Sequence, residues 1–163
     1  MSSSLKERAE QISKLCQARH MTLATVESCT AGSLAHLLSQ AEGASDTLHG
    51  GFVVYTKANK VAAVGVTKEL LAAHTAVSAE VAQAMAEGGL ARCPAYIVVA
   101  ITGVAGPEPD EDGHPVGLVY VAGTVRGQPA SVLECNFGKR SREEIRELSI
   151  AEALSLFETL LQA

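Results

Sequence analysis

The sequence predicts an α/β fold: a single three-layer α/β/α domain with a mixed, mostly parallel sheet. Three observations carry that expectation. Short apolar runs alternate with helical patterns through the first hundred residues, the order that builds parallel sheets covered by helices. Ala95 to Ile101 is a continuous apolar run, the character of a strand buried on both faces and therefore central. After residue 115 two strand-like runs surround a turn, which adds a hairpin and makes the sheet mixed.

Taken in order, Leu5, Ile12 and Leu15 among Lys, Glu and Gln predict an amphipathic opening helix ending near Arg19 and His20. Met21 to Val26 is short, apolar and partly β-branched, a strand, and Thr30 to Leu38 follows as a helix. The stretch from Gln40 to Gly51 has turn chemistry, and Phe52 to Thr56 reads as the second strand. Lys57 to Val64 starts a helix, Thr67 caps a short one, and Ser78 with Glu80 opens an Ala-rich helix to about Ala91 that Gly88-Gly89 weakens. Thr102 to Pro115 is a loop rich in Gly, Pro and acids. Val116 to Val125 and Ala130 to Phe137 form the hairpin around Arg126-Gly127-Gln128-Pro129, and Arg142 to Leu161 is the closing helix.

Composition narrows the function classes. The 163 residues fit one domain better than two. Aromatic residues are 4% of the chain and Trp is absent, so the core is filled by Ala, Val, Leu and Ile in closely spaced elements. A net charge of -5 argues against nucleic acid as primary partner, because phosphate backbones are held by clustered Lys and Arg. Cys16, Cys29, Cys93 and Cys135 lie far apart without a Cys-x-x-Cys pair, so reduced thiols are expected and no zinc or redox motif. No apolar run approaches the roughly 20 residues that span a bilayer, and the start is polar and charged; the expectation is a cytoplasmic protein with no membrane partner. Small size and Ala-rich helix surfaces suggest a homo-oligomer.

Four polar segments interrupt this apolar pattern. Glu27-Ser28-Cys29-Thr30 sits at a strand-to-helix turn, where a serine can attack a carbonyl while backbone N–H groups of the next helix stabilise the oxyanion. Its structural reading is a helix N-cap, and Cys29 is a rival nucleophile with no activating partner nearby in sequence. The segment lacks the Gly-x-Ser-x-Gly elbow of α/β-hydrolases. Tyr55-Thr56-Lys57-Ala58-Asn59-Lys60 contains two competing lysines; a lysine that acts as base has to be neutral, which burial or a cationic neighbour achieves. Thr102-Gly103-Val104-Ala105-Gly106-Pro107 can form an anion nest or a plain turn. The acidic run Glu108, Asp110, Glu111 and Asp112 with His114 has no recognised ligand spacing and reads as a solvated loop, so no metal is expected. Lys139, Arg140, Arg142 and Arg146 open the last helix and suit a phosphate, or pair with the neighbouring glutamates.

In combination, Glu27-Ser28-Cys29-Thr30, Gly50-Gly51-x-Val53-x-Tyr55, Lys60, Gly65-Val66, Ala76-Val77-Ser78, Thr102-Gly103-x-Ala105-Gly106-Pro107 and Pro115-Val116-Gly117 resemble the CinA C-terminal family. Order and spacing agree over about residues 5 to 160, and the combination is far more specific than any one motif. The resemblance implies an α/β/α domain that hydrolyses the carboxamide of nicotinamide mononucleotide, in pyridine nucleotide recycling, without a cofactor. It implies Ser28 as nucleophile, Tyr55 and Lys60 as activating partners, and a substrate pocket from Glu27, Cys29, Thr30, Ser45, Thr102, Gly103, Ala105, Gly106 and Arg142. Arg140 is the alternative to Arg142, and either Tyr55 or Lys60 is the immediate base. Three departures stand out: Ala31 where a glycine is usual, Thr56-Lys57 in place of Ser-Asn, and Pro109 to Gly113 in place of Gly-Gly. They motivate the alternative reading, a non-catalytic nucleotide- or partner-binding module with the same pocket.

Overall fold

Branched and small residues in short runs give five strands: β1 Leu23–Glu27, β2 Leu48–Val53, β3 Ile97–Gly103, β4 Leu118–Val125 and β5 Ser131–Asn136. The computed structural model describes residues 3–162. The strands form one sheet in the order β2-β1-β3-β4-β5. β1 pairs in parallel with β2 and β3, β4 is antiparallel to β3, and β5 is antiparallel to β4. β4 alone therefore runs against the others, and the sheet is mixed and mostly parallel as predicted. The apolar run after Ala95 is indeed central: β3 is buried from Ile97 to Thr102.

Among the described residues seven helices cover the two faces: α1 Leu5–Arg19, α2 Ser33–Ser39, α3 Ala44–Thr47, α4 Lys57–Val64, α5 Lys68–His74, α6 Ala79–Ala91 and α7 Arg142–Gln162. Side chains alternate across a strand, and the two cores sort by that parity. Leu23, Ile97, Val99, Ile101, Val119 and Val121 pack with α1, α2 and α7. Ala24, Val26, Val98, Ala100 and Ala122 pack with α4, α5 and α6. The small residues of the second set let α6 lie close to the sheet. A Cβ at Gly89 would come within 2.6 Å of Val26 Cγ2, and one at Gly88 within 1.9 Å of the Val64 carbonyl oxygen. The Gly88-Gly89 pair thus serves close packing at the end of α6 and not only its termination.

Local capping explains most boundaries. Ser4 and Glu7 form a reciprocal capping box on α1, and the side chains of Thr56, Thr67 and Ser78 cap α4, α5 and α6 by accepting from the backbone N–H three residues on. Two segments differ from expectation. The helix predicted from Thr30 begins at Ser33, because Ala31 and Gly32 have φ of 50° and 94°, left-handed values that no helix admits. The second strand starts at Leu48 and not Phe52, preceded by the one-turn α3. As an edge strand its residues are alternately half-buried and exposed, so it lacks the apolar run that marks the central strands. Gly51 is required there: a Cβ would lie 2.3 Å from Thr25 Oγ1 on β1.

Candidate active site

Because β1, β2 and β3 are parallel, their C-terminal ends share one edge of the sheet, where open α/β sheets form their crevice. The segments after these strands meet there. Ser28 N–H donates to the Ile101 carbonyl at 3.0 Å and Val54 N–H to the Glu27 carbonyl at 2.8 Å. At this edge lies a cavity of about 540 Å³, lined by Ser28, Tyr55, Lys60, Thr102, Gly103 and Asp110 to Asp112 among others.

Strand parity decides the two residues at the end of β1. Glu27 continues the face of Leu23 and Thr25 toward α2, and Ser28 turns to the α4 side. There the Lys60 ammonium donates to Ser28 Oγ at 2.9 Å and to the Val54 carbonyl at 3.0 Å. Both side chains are buried, Ser28 to 7% exposure and Lys60 to 2%. The Thr56 cap on Asn59 N–H, with Asn59 Nδ2 donating to the Val53 carbonyl, starts α4 where its fourth residue reaches Ser28. Burial is the main force that brings Lys60 down from 10.5 to about 8; an ionised Cys29 opposes it and the Lys57 charge assists. The Val54 carbonyl holds one N–H of Lys60, and once the amine is deprotonated its lone pair is available to a hydroxyl at the Ser28 distance.

Cys29 points the other way, into the core beneath α1, α2 and α7. Burial pushes its thiol up to about 11, so it is no thiolate at neutral pH. Its carbonyl accepts from Arg146 Nε at 2.8 Å. The N–H groups of Cys29 and Thr30 have no oxygen acceptor among the described residues.

Glu27 is fully buried and faces protein, not the cavity. Its carboxylate accepts from Thr25 Oγ1 (3.1 Å), Thr30 Oγ1 (2.7 Å), Leu34 N–H (2.9 Å) and Ala35 N–H (3.0 Å). Gly32, the residue before α2, has no side chain to cap with, and Glu27 does so across the turn. The same bonds fix Thr30 and the left-handed turn at Ala31.

The other predicted positions divide. Thr102 Oγ1 donates to the Ala76 carbonyl at 2.8 Å and, with Gly103, lines the cavity. Ala105 is buried in the core, and the Gly106 carbonyl accepts from Arg142 Nη1. Arg142 Nη2 donates to the Tyr55 hydroxyl. Tyr55 is half exposed at the rim and makes no hydrogen bond with Ser28 or Lys60. Arg142 also borders a second cavity of about 630 Å³ with Ser33, His36 and Arg146, and among the described residues no carboxylate lies within ion-pair distance of it. Arg140 is directed elsewhere, to the Phe137 carbonyl and Glu144. Ser45 lies in α3 just before β2, and Leu48 pairs with Leu23, so Ser45 sits at the opposite edge of the sheet from Ser28.

Sequence reasoning missed the carbonyls of Val54 and Ala76, backbone groups with no signature. It also left the acidic run in solvent. That run is exposed, yet Lys57 Nζ lies 2.9 Å from Glu111 Oε1 and 3.0 Å from Asp112 Oδ2 and draws it against the cavity. Both ion pairs raise the Lys57 ammonium above the usual lysine range, Glu111 most. The Thr56-Lys57 and Pro109 to Gly113 segments thus meet each other at the cavity. No group of three or more His, Cys, Asp or Glu side chains that could hold a metal ion exists among the described residues, and none of the described helices is long and apolar enough to cross a membrane.

A doubly covered, mixed five-stranded sheet with a buried serine and lysine in hydrogen-bond contact at its parallel edge places the chain among α/β domains with a candidate site at the strand ends. The chain belongs to the CinA C-terminal domain family, whose model matches residues 5–161. It is 38% identical over 162 residues to the nicotinamide-nucleotide amidohydrolase PncC of Escherichia coli, covering 98% of this chain and 97% of that one. Longer relatives from Moorella thermoacetica and Symbiobacterium thermophilum are 45% and 40% identical, and the chain spans 35% and 36% of their length. Among solved structures, the competence/damage inducible protein CihA from Agrobacterium tumefaciens matches with a TM-score of 0.93, 35% identity and full coverage of both chains. A CinA superfamily protein from Klebsiella pneumoniae matches with a TM-score of 0.93 and 32% identity over 98% of this chain and 99% of that one.

Proposed function

We propose that this chain is a single-domain amidohydrolase that converts the carboxamide of nicotinamide mononucleotide to the carboxylate of nicotinate mononucleotide, releasing ammonia in pyridine nucleotide recycling. The observation that carries the reading is the 2.9 Å contact between Lys60 Nζ and Ser28 Oγ, both buried. The similarity to PncC along nearly the whole chain supports the substrate.

In this mechanism neutral Lys60 takes the Ser28 proton directly as Oγ attacks the carboxamide carbon. The N–H groups of Cys29 and Thr30 receive the oxyanion, a contribution of about 3 to 4 kcal/mol per donor. Lys60 then returns its proton to the leaving nitrogen, ammonia departs, and an ester to Ser28 remains. Water, deprotonated by Lys60, hydrolyses the ester and restores the serine. Arg142, held by the Gly106 carbonyl and Tyr55 and without a carboxylate in ion-pair distance among the described residues, binds the ribose phosphate. Tyr55 serves this mechanism by fixing Arg142 at the rim. Purified protein is expected to release ammonia from nicotinamide mononucleotide, and Ser28→Ala to abolish the release. Saturable binding without ammonia would refute the enzyme reading.

A further inference from the structure

Lys57 and Lys60 stand three residues apart in the first turns of α4, a spacing that puts side chains on one face, and both line the Ser28 cavity. Glu111 and Asp112 hold the Lys57 ammonium at 2.9 and 3.0 Å. They come from a segment with its own frame: Asp110 Oδ1 accepts from Asp112 N–H (3.1 Å) and His114 N–H (2.8 Å), and His114 Nε2 meets Thr75 Oγ1 at 2.7 Å. A positive charge is thereby fixed one helical turn from the buried amine that contacts Ser28.

We propose that Lys57 is a positioning residue for the reaction: its fixed charge disfavours protonation of Lys60 and keeps that amine available as a base, while Glu111 and Asp112 set how strongly it does so. The inference rests on the reading of Lys60 as the base. A cationic neighbour is one of the ways a lysine is activated. The charged and titratable groups around Lys60 give the signs. From the turn after β1 comes Cys29, neutral at ordinary pH because burial pushes its thiol up to about 11. From the loop after β3 come Asp110, Glu111 and Asp112, and at the rim stand Tyr55 and Arg142. Glu27 faces away, bonded to α2. Burial does most to lower Lys60, and Lys57 acts in the same direction.

The test is the pH dependence of kcat/KM for ammonia release from nicotinamide mononucleotide, which reports the free enzyme's essential base. Wild type, Lys57→Met, Lys57→Arg and the double variant Glu111→Gln/Asp112→Asn are compared as the full chain. Lys57→Met is expected to move the acid limb up by about half a pH unit, roughly a threefold loss below the midpoint, with the alkaline plateau retained. Lys57→Arg keeps the charge and restores the wild-type limb. The double variant leaves Lys57 unneutralised and moves the limb down. A Lys57→Met profile that superimposes on wild type overturns the proposal. So does a Lys57→Arg limb displaced as far as that of Lys57→Met, which would mark packing and not charge, or a double variant that moves up. A wild type that releases no ammonia removes Lys60 as base and this role with it, a result distinct from an active enzyme whose limb stays still.

Discussion

Glutamine at position 27 would keep the shape of the side chain and exchange one carboxylate oxygen for an NH2 donor. The carboxylate oxygens accept in pairs, Oε1 from Thr30 Oγ1 and Leu34 N–H, Oε2 from Thr25 Oγ1 and Ala35 N–H. Whichever way the amide is turned, one α2 N–H then faces another donor. A threonine hydroxyl can rotate to accept from the new NH2; a backbone N–H cannot. Hydrogen bonds to a buried charge contribute about 1.5 to 3 kcal/mol each, so with one bond replaced and one lost outright Glu27→Gln is expected to cost about 2 to 3 kcal/mol. For a chain of this length that is a fall of roughly 5 to 10 °C in Tm. Thermal and urea denaturation at pH 7 measure it, with KM measured alongside. A variant as stable as wild type but with a raised KM would make Glu27 a substrate contact, the role the family resemblance gives it, and would refute the capping account.

Ser28→Ala should remove turnover, whereas Cys29→Ala should retain it at a modest loss of stability, since that thiol packs in the core; steady-state ammonia release separates them, and loss only in the Cys29 variant would overturn the nucleophile assignment. Lys60 takes up its proton near pH 8 when folded and near the ordinary lysine value of 10.5 when unfolded, so the unfolded chain binds more protons between those values. Its contribution to stability therefore rises with pH across that window, and below it the penalty is about 3 kcal/mol. Lys60→Met escapes this penalty while losing turnover by roughly a hundredfold or more. The stability of wild type relative to Lys60→Met, by urea denaturation from pH 6 to 10, should improve as pH rises, and a constant difference would count against a protonated, desolvated amine at neutral pH. Gly88→Ala drives a Cβ to within 1.9 Å of the Val64 carbonyl and should lower Tm sharply, whereas Gly127→Ala, with open space but φ of 85°, should cost only about 1 kcal/mol.

Much of the local structure was legible because it is written in neighbouring residues. Thr56, Thr67 and Ser78 cap the helices that follow them, the Ala95 run is the central strand, and the closing helix begins at Arg142 as predicted. Edge strand β2 and the start of α2 were less legible. The first lacks a buried run because only one side of it is paired, and the second is set by Glu27 from across the turn. The candidate site followed the same division. Ser28, Lys60 and Thr102 were recognisable together by the spacing they share with a family, and Arg142 only with Arg140 as its alternative, while each taken singly had a good structural reading.

Sequence alone set which residue types stand at and after the ends of the strands, and so the chemistry on offer: a serine among other hydroxyls, two lysines, a glycine-rich turn and a set of arginines. Tertiary structure decided which of them meet. It put Lys60 against Ser28, sent Cys29 into the opposite core by strand parity, gave Glu27 to a helix end, joined Tyr55 to Arg142, and left Ser45 at the far edge of the sheet. The physical reason is that caps and apolar runs act over a few residues, whereas a lysine becomes a base through desolvation, and desolvation belongs to the packing of segments 32 residues apart in the chain.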